Sequence, residues 1–210
     1  MIRAVAFDFN GTLSDDEPIL CEIWQGIAAR HGRPLSAEEY FAELAGLADP
    51  EIAARWLGVE GESLAAVMAE RVRLYRERVA DGSSVGPEMR EAVRFAAARV
   101  PVAVVSGAAR ADIELVLGAA GLRDAFSVIV AAEDVRAGKP DPEGYSRARD
   151  LLGADPSDVL VLEDSEAGVL AAKAAGMRCI VVLGTASPER LAAADEIVER
   201  VDVPLLAREL

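Results

Sequence analysis

Histidine and cysteine are almost missing from this chain of 210 residues: His31 is the lone imidazole, and Cys21 and Cys179 are the two thiols. The cysteines lie far apart and form no metal-spacing motif, which argues against a centre built on sulfur and imidazole. Cys179 sits in the apolar run CIVVL and reads as a small buried hydrophobe. Free thiols in the cytoplasm are the expectation. No apolar run approaches the roughly 18 residues of a membrane helix. The N-terminus, MIRAVAFDFN, enters a strand without the h-region of a signal peptide. No block of Lys and Arg relieves the acidity, with a formal net charge of −14 and an isoelectric point near 4.5. Nucleic acid and anionic membranes are therefore disfavoured as partners, since both need clustered cations. The acidity reads as a soluble surface, and His31 as a favourable charge near a helix end.

About half of the residues are apolar, enough for a sizeable core. Short runs rich in Val and Ile recur: AVAFD near the start, then VPVAVVS (100–106), FSVIVAA (126–132), DVLVLED (158–164) and RCIVVLG (178–184). Runs without alternation indicate strands buried on both faces, and the Ala/Leu-rich stretches 109–120, 142–152 and 165–175 supply helical crossovers. Gly121, Gly153 and Gly176 follow those stretches, where a helix-terminating glycine belongs. The pattern predicts an α/β fold, a doubly wound parallel sheet of Rossmann-like type. Residues 15–84 carry no convincing strand and read as helices over 18–31, 36–44, 50–57 and 63–80. Ser36 with Glu39 has the form of a capping box. The expected division is a core of 1–14 with 85–210 and an inserted all-α helical block of 15–84.

Ligands of open α/β sheets bind beyond the carboxyl ends of the strands. Those ends carry Asp8, then Ser106 and Gly107, then Glu163 and Asp164, and the loop RAGKPDP (136–142) adds Lys139. Each is weak alone, since an acid at a strand end is often a helix cap and Ser-Gly is often a turn. Together they crowd three carboxylates at one rim, and crowded carboxylates repel unless a cation sits among them. An all-oxygen set favours the hard cation Mg²⁺. A lysine beside it points to an anionic substrate, most simply a phosphate.

DFNGTL (8–13), VVSG (104–107), GKPDP (138–142) and VLEDSEAGVLAAKAAGM (161–177) resemble the four motifs of the haloacid dehalogenase-like superfamily. The likeness is greatest to its phosphatase and β-phosphoglucomutase-like branch, and it spans nearly the whole chain. The resemblance implies a Mg²⁺-dependent phosphatase acting on a small phosphorylated metabolite, with the helical insert as a cap. By the same resemblance Asp8 is the nucleophile that forms an aspartyl-phosphate, and Ser106 binds a phosphoryl oxygen beside Gly107. Lys139 stabilises charge on the phosphoryl group and on Asp8. Asp8, the main-chain carbonyl of Asn10, Asp164 and Glu163 are the metal set. A monomer or weak dimer is expected.

Asn10 departs from the pattern, because active phosphatases of this family usually have a second Asp there to move the proton. An amide hydrogen-bonds but does not exchange a proton near neutral pH. Four readings stay open: a slow phosphatase in which another group, such as Asp15 or Asp16, moves the proton; a phosphate-binding protein that lost catalysis; an engineered trap for the phosphoenzyme; or partial deamidation at Asn10-Gly11. Asp15 is read as ending the outgoing loop or capping the first helix of the insert. A phosphomutase is disfavoured, since β-phosphoglucomutase places a histidine where this chain has Leu20. Leu47 follows Gly46 where a basic residue is common, which favours a substrate other than a sugar bisphosphate. Trp24 reads as core, and Arg55, Arg71 and Arg73 read as a solvated helix face.

Overall fold

The computed structural model describes residues 1–45, 47–184 and 186–210. The Gly46 half of the Gly46-Leu47 expectation lies outside them. The chain divides into two compact units, one of Met1–Asp15 with Asp81–Leu210 and one of Asp16–Ala80. Among the described residues, no helix is long and apolar enough to cross a membrane.

The first unit is built on a parallel sheet in the order β3-β2-β1-β4-β5-β6. The strands are β1 Ala4–Phe7, β2 Val102–Val105, β3 Val128–Val130, β4 Val159–Glu163, β5 Arg178–Val182 and β6 Glu196–Val198. Central β1 has all four residues buried, as a strand covered on both faces must. Its register sets Phe7 opposite Val104 on β2 and Leu162 on β4. Side chains alternate along β1. Ala4 and Ala6 join a core with Tyr145, Ala148 and Val169. Phe7 alternates to the other face and meets Phe126 edge to face, with centroids 5.9 Å apart. Full burial of such a ring contributes about 1.5–3 kcal/mol. β6 was not expected from the sequence, because a short edge strand with polar flanks and a half-exposed face carries little hydrophobic signal.

The second unit contains α1 Glu17–Arg30, α2 Ala37–Glu39, α3 Asp49–Ile52 and α4 Gly61–Val79, with π-helical turns at Tyr40–Leu44 and Ala53–Leu57. The capping box forms: the Ser36 hydroxyl accepts from the Glu39 N–H at 3.1 Å, and the Glu39 carboxylate accepts from the Ser36 N–H at 2.8 Å. Trp24 is core, and its indole N–H donates to Asp49. Two expectations need correction. Of the two readings of Asp15, it ends the outgoing loop and does not cap α1; the cap position belongs to Asp16, which makes no capping bond with its side chain. Buried Asp16 instead accepts from the Tyr75 hydroxyl, and the Asp15 N–H donates to Ser84 O at 2.8 Å. Nor is Arg71 on a solvated face. It lies on the buried stripe Val67, Arg71, Tyr75 and Val79 of α4, a spacing of four that faces inward. Arg71 pairs with Asp49 at 2.8 Å and stacks on the Tyr75 ring at 4.8 Å. Arg55 and Arg73 are exposed and paired with Glu43 and Glu77.

The sheet unit adds α5 Pro87–Ala97, α6 Arg110–Ala119, α7 Glu143–Leu152, α8 Glu166–Ala174 and α9 Val203–Glu209. Gly121, Gly153 and Gly176 follow helices with positive φ, as their places in the sequence predict. Both helices α7 and α8 contribute to the core that holds Ala4 and Ala6. Gly144 lets α7 approach closely, since a Cβ there would meet Val105 Cγ1 at 3.0 Å.

Candidate active site at the carboxyl ends of the central strands

The register that sets Phe7 between Val104 and Leu162 also sets what comes next. Asp8 follows β1, Ser106 and Gly107 follow β2, and Glu163 ends β4 with Asp164 directly after it. The Asp8 N–H still bonds to Leu162 O at 2.9 Å, so its side chain leaves from a fixed backbone. Past it the chain turns sharply. The Gly11 N–H donates to Ser14 O and the Ser14 N–H to Phe9 O, each at 2.8 Å. Gly11 has φ 78°, which a side chain at that corner would resist. Asn10 is the residue before it.

Four of the expected residues meet directly. The Lys139 ammonium donates to Asp8 Oδ1 and, at 2.5 Å, to Glu163 Oε1. Carboxylate oxygens of Asp8, Glu163 and Asp164 all lie within 4.8 Å of one another. Ser106 and Gly107 adjoin through register. Ser106 is buried, and its hydroxyl accepts from the Ala108 N–H at 3.0 Å. Gly107 is exposed, with open space where a side chain would stand.

Several groups escape sequence reasoning. Glu163 Oε2 accepts from the Asp164 N–H, the Ser165 N–H and the Ser165 hydroxyl at 2.9–3.1 Å. Its Oε1 accepts from the Tyr145 hydroxyl at 2.8 Å as well as from Lys139. This carboxylate occupies the space beside Gly168, where an added Cβ would fall 1.8 Å from Oε1. The glycine of LEDSEAG is thus a steric requirement of Glu163. Thr12 donates to Asp164 Oδ1 at 3.4 Å. Glu143 accepts from the Arg136 and Ala137 N–H groups, both at 3.0 Å, and so fixes the loop that carries Lys139. No sequence signal separates the hydroxyl of Tyr145 from its ring.

Charge decides what such a cluster can hold. Burial works against the Lys139 ammonium, but Asp8 and Glu163 outweigh it and hold the amine well above its ordinary pKa. Burial also raises Glu163, yet Lys139 and its hydrogen bonds keep it below the usual carboxylate range. Asp8 moves the other way. Burial pushes its pKa well up, Lys139 only partly offsets this, and Glu163 and Asp164 push it further. Three carboxyl groups face one ammonium, so with all three ionised negative charge is in excess. All the acidic ligands are oxygen, and two more positive charges would balance them. The residues present fit a divalent cation of the hard class.

The chain is similar to known proteins along most of its length. The model of the family described as haloacid dehalogenase-like hydrolase matches residues 2–176. Validoxylamine A 7'-phosphate phosphatase of Streptomyces hygroscopicus subsp. limoneus is 34% identical over 202 residues, 95% of this chain and 94% of that protein. Hexitol phosphatase A of Escherichia coli (strain K12) is 32% identical over 204 residues, 95% and 92% of the two chains. Among solved structures, a mutant of CbbY from Rhodobacter sphaeroides, in complex with xylulose-1,5-bisphosphate, superposes with a TM-score of 0.83. It is 29% identical, with 96% of this chain and 95% of that one covered.

Proposed function

This chain belongs to the haloacid dehalogenase-like hydrolases, in the phosphatase branch, and from that premise we propose that it hydrolyses the phosphate ester of a small sugar or polyol through an aspartyl-phosphate on Asp8. The observation that carries the reading is the Lys139 ammonium held between Asp8 and Glu163, with Asp164 alongside. The carbohydrate-like substrates in the relatives' names favour the substrate class. We take 1–14 with 85–210 as the catalytic core and 15–84 as the cap that selects the substrate.

In this reading Asp8 Oδ attacks phosphorus, the bond from phosphorus to the ester oxygen breaks, and the leaving oxygen takes a proton from water. A second water then attacks phosphorus and gives its proton to the hydroxide left by the first, the bond to Asp8 breaks, and phosphate departs. Covalent catalysis divides one difficult transfer into two easier ones. Lys139 neutralises charge on the transferring oxygens, and its position is set before substrate arrives. Glu163, anchored by its donors, keeps Lys139 in place. Ser106 and the Gly107 N–H bind the non-reacting phosphoryl oxygens. Asp8, the Asn10 carbonyl, Asp164 and the charge of Glu163 hold Mg²⁺, which supplies electrostatic stabilisation of the phosphoryl group when bound.

Asn10 sets the rate. Its amide orients by hydrogen bonding but neither gives nor takes a proton, so solvent water must give the first proton and accept the second, and turnover is slow. General acid–base help is typically worth ~10²–10⁴-fold. The same residue favours a second reading, a phosphate-ligand-binding protein with vestigial turnover. Phosphate release from an aryl phosphate, with and without Mg²⁺, followed by a panel of sugar and polyol phosphates, separates the two. Mg²⁺-dependent release supports the phosphatase. Saturable binding of a sugar phosphate without release supports the binding protein.

A further inference from the structure

Tyr145 is 1% exposed on α7, packed in the core cluster with Ala148, Ala6 and Val161. A phenylalanine would fill that space equally well. The chain instead buries a hydroxyl, which costs free energy unless it finds a partner. The partner is Glu163 Oε1 at 2.8 Å, the same oxygen that receives Lys139. The Tyr145 ring also stands under the lysine, 5.1 Å from Nζ to the centroid. One side chain therefore touches both the carboxylate and the ammonium of the pair that faces Asp8.

We propose that Tyr145 is a positioning residue for Lys139. Its hydroxyl takes up part of the negative charge on Glu163 Oε1, so that the ammonium is not drawn wholly onto Glu163 and keeps its bond to Asp8. The argument rests on competition for one cation. Lys139 divides its donors between two carboxylates. Any donor that satisfies Glu163 releases the lysine toward the other acid, and the hydroxyl is such a donor. Glu163 Oε2 is already saturated by the loop that follows β4, so the balance is set at Oε1 alone. The ring face also holds Nζ by cation–π attraction. Gly144, which lets α7 approach β2, brings the hydroxyl within reach.

The kinetic part of this proposal rests on the phosphatase reading; the structural part does not. The test is Tyr145→Phe, which keeps the ring and removes the donor. Turnover of an aryl phosphate should fall about tenfold, the scale of one hydrogen bond to a charged group, with KM within about twofold. The second readout is the ¹⁵N–¹H signal of the lysine ammonium groups. The chain has two lysines, Lys139 and Lys173, so each signal can be assigned by substitution. The Lys139 signal should move and the Lys173 signal stay. Incorporation of 3-fluorotyrosine at position 145 strengthens the donor and should move the Lys139 signal the opposite way, which keeps the test alive should Tyr145→Phe fold poorly. An unmoved Lys139 signal with unchanged turnover overturns the proposal. So does a joint shift of both lysine signals with a raised KM, the mark of general loosening. If the native protein releases no phosphate while the Lys139 signal still responds, the phosphatase reading fails and the positioning role stands.

Discussion

The two lysines of this chain both pair with aspartate, and their surroundings differ. Lys173, on α8, bonds both oxygens of Asp195 at 2.7–2.8 Å, and its side chain is 37% exposed. Asp195 also accepts from the Cys179 N–H at 2.7 Å, so the pair ties the approach to β6 onto β5. Burial raises the Asp195 pKa, but Lys173 and the Cys179 N–H more than reverse this. Here positive charge matches the acid, with Arg178 adding to Lys173, and the pair stands partly in water. Lys139 meets two carboxylates with a third beside them, and its side chain is 17% exposed. There the acids do not all settle: Glu163 is held low while burial drives Asp8 high. A balanced, solvated pair fastens secondary structure. A buried pair with surplus negative charge has capacity left for a cation.

The comparison breaks most sharply at the two lysines themselves. Lys139→Ala should lower turnover by ~10²–10³-fold, the scale lost with one preorganised charge stabiliser. Lys173→Ala should leave turnover unchanged. Steady-state kinetics on an aryl phosphate measure both, and equal effects would erase the distinction. Asn10→Asp comes next. It restores a group that can move a proton and should raise turnover by ~10²-fold. Peptide mass spectrometry of the native protein must first exclude deamidation of Asn10, since a deamidated fraction would mimic the variant. Unchanged turnover would direct attention to Asp15 and Asp16.

The surplus charge gives the third prediction. Mg²⁺ should stabilise the native protein against heat by about 2.7 kcal/mol when free metal is 100 times its Kd. Asp164→Ala should remove that gain, as read by thermal shift with and without Mg²⁺. A retained response would place the metal elsewhere. The smallest effect belongs to the balanced pair. Lys173→Ala should cost at most ~0.5 kcal/mol in urea unfolding, because a partly solvated ion pair contributes little.

The sheet and the site rim were legible for one reason. Strands buried on both faces give continuous apolar runs, and a polar residue directly after such a run has few structural uses. Asp8, Ser106 and Asp164 stand in that position. The supporting groups were not legible, because their roles depend on contacts far along the chain. Thr12 reaches Asp164 across 152 residues, and Tyr145 looks like any aromatic on a helix facing a core. Arg71 was misread because arginine is seldom buried. Its stripe was visible, but Asp49, the partner that makes its burial tolerable, lies on a different helix. The edge strand β6 stayed hidden because Glu196 and Glu199 leave only Ile197 and Val198 between them, too short a run to match those of the inner strands.

The account turns on Asp8 as the group that takes the phosphoryl. The most direct test mixes the protein with an aryl phosphate and Mg²⁺, quenches in acid within milliseconds to seconds, and weighs the peptides. The account predicts one added phosphate on the peptide that contains Asp8, persisting because Asn10 cannot activate water, and absent in Asp8→Ala. Phosphate release at an undiminished rate from Asp8→Ala, or a phosphate found on another residue, would contradict it.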